Sequence, residues 1–459
     1  MEHATQQEAV VYEKIPFKEY LAYFCYGFGQ CFSFGLVGTF ILYFYTDILG
    51  ITAGAASIIF LIARLWDAFN DPMVAGIMDS RQTKTGKFRG YLKFTPILIV
   101  ASTILCFMSP DISTTGKVIY AGATYILWGT VYTISDIPFW SIAAVISKNG
   151  QDRTNLLTTA NLGVYGGQGL VGFVVPLMVG MFRNNNFAAD TSYLLTVSVI
   201  MVVAYFLMLF GYKNVKERVD TKRDEKVKVS DLIDSLKANN YLFKILLIFF
   251  LNIFMNIVQG IIVYFFTYNL SAPELMSTFG LIGTFSAVGF FLIPALTKRF
   301  KKRNLLMTIL VMDIALRIAF FAIGYDNVGL VIAFLAITQT LYSSTGPLIS
   351  SMLAETIEYS EVKTGKRFEA IAFSGQTFTG KLSVALAGAT TGIILSVIGY
   401  QPNVAQSPET LTGLFFVISL LPALGSLLRL LLLMRYDYTE TEFNEALKIL
   451  EERKAAKEQ

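Results

Sequence analysis

Long apolar stretches separated by short polar segments dominate the pattern along this chain. A helix that crosses a bilayer needs about 20 mostly apolar residues, and we count twelve stretches that are long enough. They are 20–46, 53–78, 91–109, 117–143, 157–182, 191–212, 241–269, 275–297, 304–325, 328–354, 368–399 and 409–435. The stretches are too long for the strands of a membrane β-barrel and lack their strict alternation. The pattern therefore predicts an all-α polytopic membrane protein with twelve transmembrane helices.

The polar segments predict how these helices are oriented. Lys and Arg are concentrated in alternate short loops, at 79–90, 147–153, 297–304 and 355–369. The intervening loops hold only Lys117 and Arg183. Because short cytoplasmic loops carry the excess of Lys and Arg, both termini are expected in the cytoplasm.

A long charged segment divides the chain into two groups of six spans, which is the plan of major-facilitator transporters. The predicted parts are a cytoplasmic N-terminal tail (1–19), an N-terminal six-helix bundle (20–212), a central cytoplasmic loop (213–240), a C-terminal six-helix bundle (241–435) and a cytoplasmic C-terminal tail (436–459). In the last part, Thr439 and Glu442 have the spacing of a capping box, which predicts an amphipathic surface helix.

Composition narrows the function classes. Hydrophobic residues make up 54% of the chain and charged residues only 15%, whereas a soluble domain carries roughly 25% charged residues. The net charge of +4 is too small to attract a polyanion, so no nucleic-acid partner is expected. The single His lies in the polar N-terminal tail and the three Cys lack metal-site spacing, which argues against a metal centre or a disulfide framework. We expect the lipid bilayer as surroundings, and no cofactor apart from a coupling ion.

A few ionisable residues lie inside the predicted spans, where each costs ~3 kcal/mol or more to insert and therefore needs a reason. In the second span, Asp67 and Asp71 are four residues apart and share one helix face. Two carboxylates this close require a proton or a bound cation, and the Asn70 carbonyl adds an oxygen ligand suited to a hard cation. The alternative is a structural network, in which Arg64 neutralises one acid and another helix neutralises the other.

The fourth span carries Asp136 together with Trp128, Trp140 and Thr133. A carboxylate that accepts hydroxyl hydrogen bonds beside an aromatic face suits a sugar, although aromatic residues are common in membrane helices generally. Lys381 is the one basic residue of the eleventh span, and it needs an acidic partner from the second or the fourth span.

Three further charged residues are interpreted without a transport function. Asp313 and Arg317 in the ninth span are four residues apart and opposite in sign, so they are predicted to neutralise each other. Arg429 lies close to the cytoplasmic end of the last span, from which its side chain is expected to reach the surface.

Several strings resemble the glycoside–pentoside–hexuronide:cation symporters, a family of the major facilitator superfamily. They are Tyr26-Gly27-Phe28-Gly29, Tyr45-Thr46-Asp47, RLWDAFNDPMVAGIMDSRQTKTGKFR (64–89), YILWGTVYTISDIPFWS (125–141) and ETIEYSEVKTGKRFEAIAFSGQT (355–377). The match runs in consistent order from about residue 20 to residue 435. The R-x-W-D-A-x-N-D-P and D-I-P-F-W strings are much more specific than hydropathy alone.

The resemblance implies roles for the matching positions. The family's site for Na⁺, Li⁺ or H⁺ corresponds to Asp67, Asn70, Asp71 and Thr133, with Na⁺ held by the two aspartates. The substrate site is expected at Gln30, Cys31, Trp128, Asp136, Trp140, Asn161, Gln376 and Lys381. Cytoplasmic segments that brace the inward gate correspond to Asp79, Arg81, Lys84, Arg89, Glu355, Glu358, Glu361 and Arg367.

The sugar site departs from the family pattern. Melibiose-transporting members have a Lys-Asp pair after Phe-Gly in the first span, where this chain has Gln30 and Cys31, and Asn161 replaces a sugar-binding Arg. The sugar site has thus lost one acid and two bases, while the cation site keeps its residues. Cation coupling is therefore expected, and a melibiose-type specificity is not.

The expected function is secondary-active symport, the import of a sugar or glycoside with Na⁺ or H⁺ by alternating access, carried out by a monomer in the cell membrane. One alternative is cation-coupled transport of an anionic sugar, a hexuronide or a sulfonated sugar, which a free Lys381 would favour and which Gln30 and Asn161 disfavour. Another is a polytopic membrane enzyme acting on lipid-linked sugars. An enzyme is not expected, since the unusual charges lie in mid-span and no His is available there.

Overall fold

The computed structural model describes residues 15–80, 86–147, 150–218, 239–286, 293, 295–365 and 369–458. The helices of the first half are α1 (Phe17–Tyr43), α2 (Ala53–Ser80), α3 (Arg89–Cys106), α4 (Thr114–Ile146), α5 (Gly150–Asn184) and α6 (Ala189–Asn214). Those of the second half are α7 (Asn240–Phe250), α8 (Ile253–Tyr264), α9 (Leu275–Ser286), α10 (Lys302–Ile323), α11 (Val328–Thr364), α12 (Glu369–Val397) and α13 (Pro408–Met434). A last helix, α14 (Glu440–Glu458), ends the described chain.

These helices confirm the all-α prediction, since the described residues contain no β-strand. Ten helical segments in the described part of the chain are long and apolar enough to cross a membrane, and each corresponds to one predicted span. The predicted span 117–143 forms α4, which is not among those ten. The predicted span 275–297 begins as α9 and then falls partly outside the described residues.

Spans one and seven depart from a plain α-helix. α1 passes directly into a π-helix, Phe44–Leu49, which ends at Gly50 with a φ of 81°, a left-handed conformation that favours glycine. The seventh span is interrupted at Leu251 and Asn252, between α7 and α8. At this interruption the N–H groups of Leu251 and Asn252 donate to backbone oxygens of α7, and α8 begins as a new helix at Ile253.

Glycines allow the first and fifth spans to pack closely. A Cβ atom at Gly163 would lie 2.6 Å from the backbone oxygen of Phe24, and one at Gly167 would lie 2.5 Å from the backbone oxygen of Phe28. No side chain fits at such distances, so glycine is needed for this approach of α5 to α1.

The two halves meet along three helix pairs, α2 with α12, α5 with α9 and α1 with α8. A Cβ atom at Gly280 of α9 would lie 2.3 Å from the carbonyl carbon of Gly172 on α5, so these two backbones are in direct contact. The pairing of α2 with α12 sets Asp71 of the second span beside Lys381 of the eleventh.

The start of the predicted central loop packs against the first half. The Glu217 carboxylate accepts hydrogen bonds from the three backbone N–H groups of residues 87–89, at 2.7, 2.7 and 2.6 Å. An anion is stabilised there because the first N–H groups of a helix have no partners within that helix. Arg218 pairs with Glu19 at 2.7 Å. These contacts attach the end of α6 to the starts of α1 and α3.

Helix α14 packs against the ends of α10 and α11. Thr439 precedes it, and the Thr439 N–H donates to Oε2 of Glu442 at 2.8 Å, as in a capping box. The hydrogen bond from the Thr439 hydroxyl lowers the pKa of the Glu442 carboxyl. Arg453 donates to the backbone oxygen of Val362 at 2.9 Å, which joins α14 to α11.

Candidate functional site

The carboxylate pair of α2 is paired with two cationic side chains from different parts of the fold. Arg64 Nη1 donates to Oδ2 of Asp67 at 3.0 Å, within the same helix. Asp71 accepts from the Lys381 ammonium at 2.7 Å and from the Thr133 hydroxyl at 2.8 Å. The structure therefore shows the network of the structural alternative, with one acid neutralised locally and the other across the two halves. It also gives Lys381 the acidic partner that the sequence demanded.

Asn70 is the exception in this network. Its side chain is 1% exposed, yet neither the amide nitrogen nor the amide oxygen has a hydrogen-bond partner. Buried polar groups are normally hydrogen-bonded, so the unpartnered Asn70 carbonyl oxygen, one residue before Asp71 on α2, is a candidate ligand for a cation. No group of three or more His, Cys, Asp or Glu in the described ranges could hold a metal. A cation would therefore need the neutral oxygens of Asn70 and Thr133 as well as the two carboxylates.

Asp136 lies in a second polar cluster, between α1 and α4. Its Oδ1 accepts from Gln30 Nε2 at 3.0 Å and from Trp140 Nε1 at 3.1 Å. The Ser135 hydroxyl donates to the Gln30 carbonyl oxygen at 2.9 Å and lies 2.9 Å from the Tyr26 hydroxyl. This chain of hydrogen bonds orients the Gln30 amide with its NH₂ group toward Asp136. Both donors use the same carboxylate oxygen, which leaves Oδ2 available for a hydroxyl of a ligand.

Two of the predicted substrate residues are packed inside the first half, and their substrate role stays a prediction. Trp128 is 4% exposed, and its indole N–H donates to the Ser33 hydroxyl at 2.8 Å. Cys31 is 3% exposed, with its sulfur 4.0 Å from the Tyr132 hydroxyl. Both side chains support α4 against α1 and present no surface to a ligand in this structure.

Asn161 and Gln376 form hydrogen bonds outside the Asp136 cluster. The Asn161 amide is exposed and donates to the backbone oxygen of Leu157 in its own helix, at 2.8 Å. Gln376 Nε2 donates to the Ser350 hydroxyl at 2.9 Å, which joins α12 to α11. Neither amide forms a described hydrogen bond to Asp136 or to the carboxylate pair.

The predicted gating residues divide into three groups. Arg81, Lys84 and Arg367, and the side chain of Asp79, lie outside the described residues. Arg89 donates to backbone oxygens at the end of α6, at 3.4 Å each, and Glu355 pairs with Lys302. Glu358 and Glu361 follow Glu355 along α11. The described partners of Arg89 and Glu355 belong to their own halves, and the role of these residues in bracing the inward gate stays a prediction.

A cluster around Asp47 joins the halves at the opposite end of the bundle, and sequence reasoning missed it. Asp47 lies in the π-helix after α1, and its carboxylate accepts from the Tyr268 hydroxyl and from the Tyr400 hydroxyl, the latter at 2.7 and 2.6 Å. The Asn403 amide donates to the backbone oxygen of Asp47 at 2.6 Å. Burial raises the pKa of the Tyr400 phenol, which keeps its proton available for donation.

The Asp47 cluster lies at the end of the bundle predicted to face outward, because α1 begins at the predicted cytoplasmic side. In the sequence, Asp47 stands out only as part of the Tyr45-Thr46-Asp47 string. An acid at the end of an apolar run was the available signal, and its three partners lie more than 200 residues away in the chain. The cluster therefore joins the two halves at the predicted outer end of the bundle.

A second buried charge cluster lies in the other half. Arg317 Nε donates to Oδ1 of Asp313 at 2.8 Å, which confirms the predicted pairing, and the Ser426 hydroxyl donates to Oδ2 at 2.6 Å. Arg429 is 3% exposed and donates to the side-chain oxygen of Asn252. The expectation that Arg429 reaches the surface is therefore wrong, because its side chain turns toward the break between α7 and α8.

Comparison with known proteins supports a transport function. A family model described as "MFS/sugar transport protein" matches residues 23–440. The chain is 31% identical to "Uncharacterized symporter YnaJ" of Bacillus subtilis (strain 168), over 96% of each chain. It is 29% identical to the "Isoprimeverose transporter" of Lactiplantibacillus pentosus, over 96% of this chain and 92% of the relative.

The fold is similar to that of a solved transporter. That structure is a bacterial homologue of the human lysosomal transporter Spinster in an inward-facing and unoccupied conformation, with a TM-score of 0.68. It covers 96% of this chain and 99% of its own, at 11% sequence identity, so the likeness bears on the fold alone.

Proposed function

Since this chain belongs to the MFS/sugar transport protein family, we propose that it is a secondary-active symporter that imports a neutral sugar or glycoside together with Na⁺ or H⁺. The family is one of multi-pass membrane transporters. The proposal places the chain in the cell membrane as a monomer with cytoplasmic termini, and gives it no cofactor apart from the coupling ion. The observation that carries it is the ion pair between Asp71 and Lys381, which links the halves one residue after the unpartnered Asn70 on α2.

The ion pair suggests how cation and conformation are coupled. A cation that binds the oxygens of Asp67, Asn70, Asp71 and Thr133 competes with the Lys381 ammonium for Asp71. Its binding changes the charge shared between α2 and α12, so the cation binds the outward-facing and inward-facing conformations with different affinities. A ligand shifts the populations of two conformations only when its affinities for them differ. Because coupling free energies are reciprocal, the sugar tightens cation binding by the same factor as the cation tightens sugar binding.

The Asp136 cluster supports a neutral substrate. Asp136 carries a negative charge whose described hydrogen-bond donors, Gln30 and Trp140, are both uncharged. Lys381 forms its ion pair with Asp71, so an anionic sugar would meet the Asp136 carboxylate with only uncharged hydrogen-bond donors beside it. A neutral sugar can donate a hydroxyl to Oδ2 of Asp136 and lay a C–H face on the Trp140 ring. The alternative, an anionic sugar, depends on cation binding at Asp71 releasing Lys381 toward the substrate.

Labelled-sugar counterflow in proteoliposomes tests the function, using a panel of pentosides, glucosides and uronides. A carrier exchanges labelled for unlabelled sugar across the membrane, whereas an enzyme or an open pore gives no counterflow. We expect counterflow with a neutral member of the panel, and uptake that depends on an imposed Na⁺ or H⁺ gradient. Counterflow of uronides alone would establish the anionic alternative, and its absence with every sugar would contradict the proposal.

A substitution separates the two proposed subsites. Asp136→Asn is expected to abolish sugar binding, because the amide cannot replace the carboxylate as acceptor for Gln30, Trp140 and a sugar hydroxyl together. Cation binding, followed by the change in Trp fluorescence on adding Na⁺, should remain. Asp326→Asn, at an exposed position between α10 and α11, is the matched control and should transport like the wild type. Equal sugar affinity in Asp136→Asn and wild type would remove Asp136 from the site.

A further inference from the structure

The second half contains a buried excess of positive charge. Asp313, Arg317 and Arg429 are 5%, 3% and 3% exposed, so one negative and two positive side chains share the space between α10 and α13. Asp313 is fully engaged by Arg317 at 2.8 Å and by the Ser426 hydroxyl at 2.6 Å. One buried positive charge is therefore left without a carboxylate.

Arg429 carries that uncompensated charge. Its Nη2 donates to the side-chain oxygen of Asn252, a neutral group, and its Nε is buried without any hydrogen-bond partner. No carboxylate in the described part of the chain forms an ion pair with Arg429. Because an isolated buried charge is costly and a buried donor is normally satisfied, a ligand of opposite charge is the missing partner.

A cavity lies against this guanidinium. Asp313, Arg317, Arg429, Tyr342, Thr345 and Ser426 supply its polar lining. The space between these side chains accepts about one water-sized particle. Of the three hydroxyls, that of Ser426 donates to Asp313 and that of Thr345 donates to the Tyr342 backbone oxygen, which leaves the Tyr342 hydroxyl as a donor into the cavity.

The break in the seventh span adds a second feature that favours an anion. Leu251, Phe254 and Met255 also line the cavity, so it borders the N-terminus of the twelve-residue helix α8. Helix N-termini present unpaired N–H groups and a positive dipole end to a bound anion. Discontinuous membrane helices use such ends at ion and substrate sites.

We propose that this cavity binds a small monovalent anion of about the size of chloride, held by Arg429 and the start of α8. Its charge complements the excess positive charge, and the available space excludes a carboxylate-bearing sugar or a phosphate. A cation is disfavoured by the two guanidinium groups. The site is separate from the Asp71 and Asp136 carboxylates, which lie on α2 and α4 of the first half, so its existence does not depend on the proposed sugar transport.

Thermal unfolding of the purified protein in detergent tests the site. Chloride or bromide is titrated against gluconate at constant ionic strength and pH, with no sugar present. The wild type should show a saturable rise in melting temperature with either halide, and Arg429→Gln should show none. Arg183→Gln, at an exposed position at the predicted outer end of α5, is the matched control and should keep the full response.

A cavity-filling variant provides a second test of the site in case Arg429→Gln does not fold. Leu341 lines the cavity and carries no charge, so Leu341→Phe should weaken the halide response by occupying the space without altering the charge balance. A wild-type melting temperature that is equal in chloride and gluconate would overturn the proposal, since the cavity would then hold water alone. An undiminished response in Arg429→Gln would overturn it as well.

Discussion

Two pairs of charged residues, each four positions apart on a membrane helix, behave differently in this protein. Asp313 and Arg317 on α10 have opposite signs and neutralise each other within one turn, and the Ser426 hydroxyl donates to the second carboxylate oxygen of Asp313. Asp67 and Asp71 on α2 have the same sign, and each needs a partner from elsewhere. Arg64 supplies one from the same helix, and Lys381 of the other half supplies the other.

This difference indicates which ion pairs can contribute to the free-energy difference between the outward-facing and inward-facing states. A local pair stays intact when the two halves move, so it stabilises the fold in every conformation. A pair that links the halves is made or broken by the movement, so a ligand that competes for it biases the conformational equilibrium. Exposure follows the same division, since the Asp313 and Arg317 side chains are 7% and 4% exposed while those of Asp71 and Lys381 are 23% and 53% exposed.

Asp71→Asn should have the largest effect, the complete loss of cation-driven accumulation. The amide carries no charge for the cation or for Lys381, so sugar uptake against its gradient should fall to the level of liposomes without protein. The free energy of unfolding should change by less than about 1 kcal/mol, because accessible ion pairs contribute little to stability. Uptake is measured under an imposed Na⁺ gradient, with Asp326→Asn as control, and accumulation that persists in Asp71→Asn would remove Asp71 from the coupling site.

Arg317→Met should have the next largest effect, on stability rather than on coupling. It leaves the Asp313 carboxylate buried without its ionic partner, which costs about 3–5 kcal/mol in the free energy of unfolding. Asp313→Asn combined with Arg317→Met should recover much of this loss, since no isolated charge remains. SDS-induced unfolding in mixed micelles measures both, and Arg183→Met is the exposed control. An unfolding free energy for Arg317→Met equal to that of the control would contradict the structural role.

Tyr400→Phe should have the smallest effect, a shift of the conformational equilibrium toward the outward-facing state. It removes the hydroxyl that donates to Asp47, and hydrogen bonds to charged groups are worth about 1.5–3 kcal/mol. This corresponds to a roughly 10- to 100-fold change in the equilibrium. The control is Tyr325→Phe, whose ring packs on Phe415 near the same end of the bundle.

Labelling from outside measures that shift. Asn161→Cys, placed in a background without the three native cysteines, reports access to the exposed position on α5. An impermeant maleimide added outside should react faster in Tyr400→Phe than with Tyr400 intact. A labelling rate unchanged by Tyr400→Phe, or raised equally by Tyr325→Phe, would show that the Asp47 cluster does not hold the outer end closed.

Local patterns in the sequence predicted most of the fold. Apolar runs of about 20 residues predict spanning helices, because every backbone polar group must be satisfied within the segment when no water is available. The pairing of Asp313 with Arg317 was equally predictable, since residues four apart on a helix are neighbours whatever the rest of the fold does. The same helical spacing places Asp67 and Asp71 on one helix face with Asn70 between them, and it therefore predicted a cation site there.

The tertiary structure alone determined which side chains far apart in the sequence form ion pairs or hydrogen bonds with each other. Asp71 binds a lysine 310 residues away, Asp47 binds a tyrosine 353 residues away, and Arg429 turns inward to Asn252 rather than outward to the surface. Local spacing does not determine which helices become neighbours or which face of a span meets the other half. The sequence by itself therefore established which charges are unusual, and only the packing of the helices determined which of them are neutralised locally and which link the two halves.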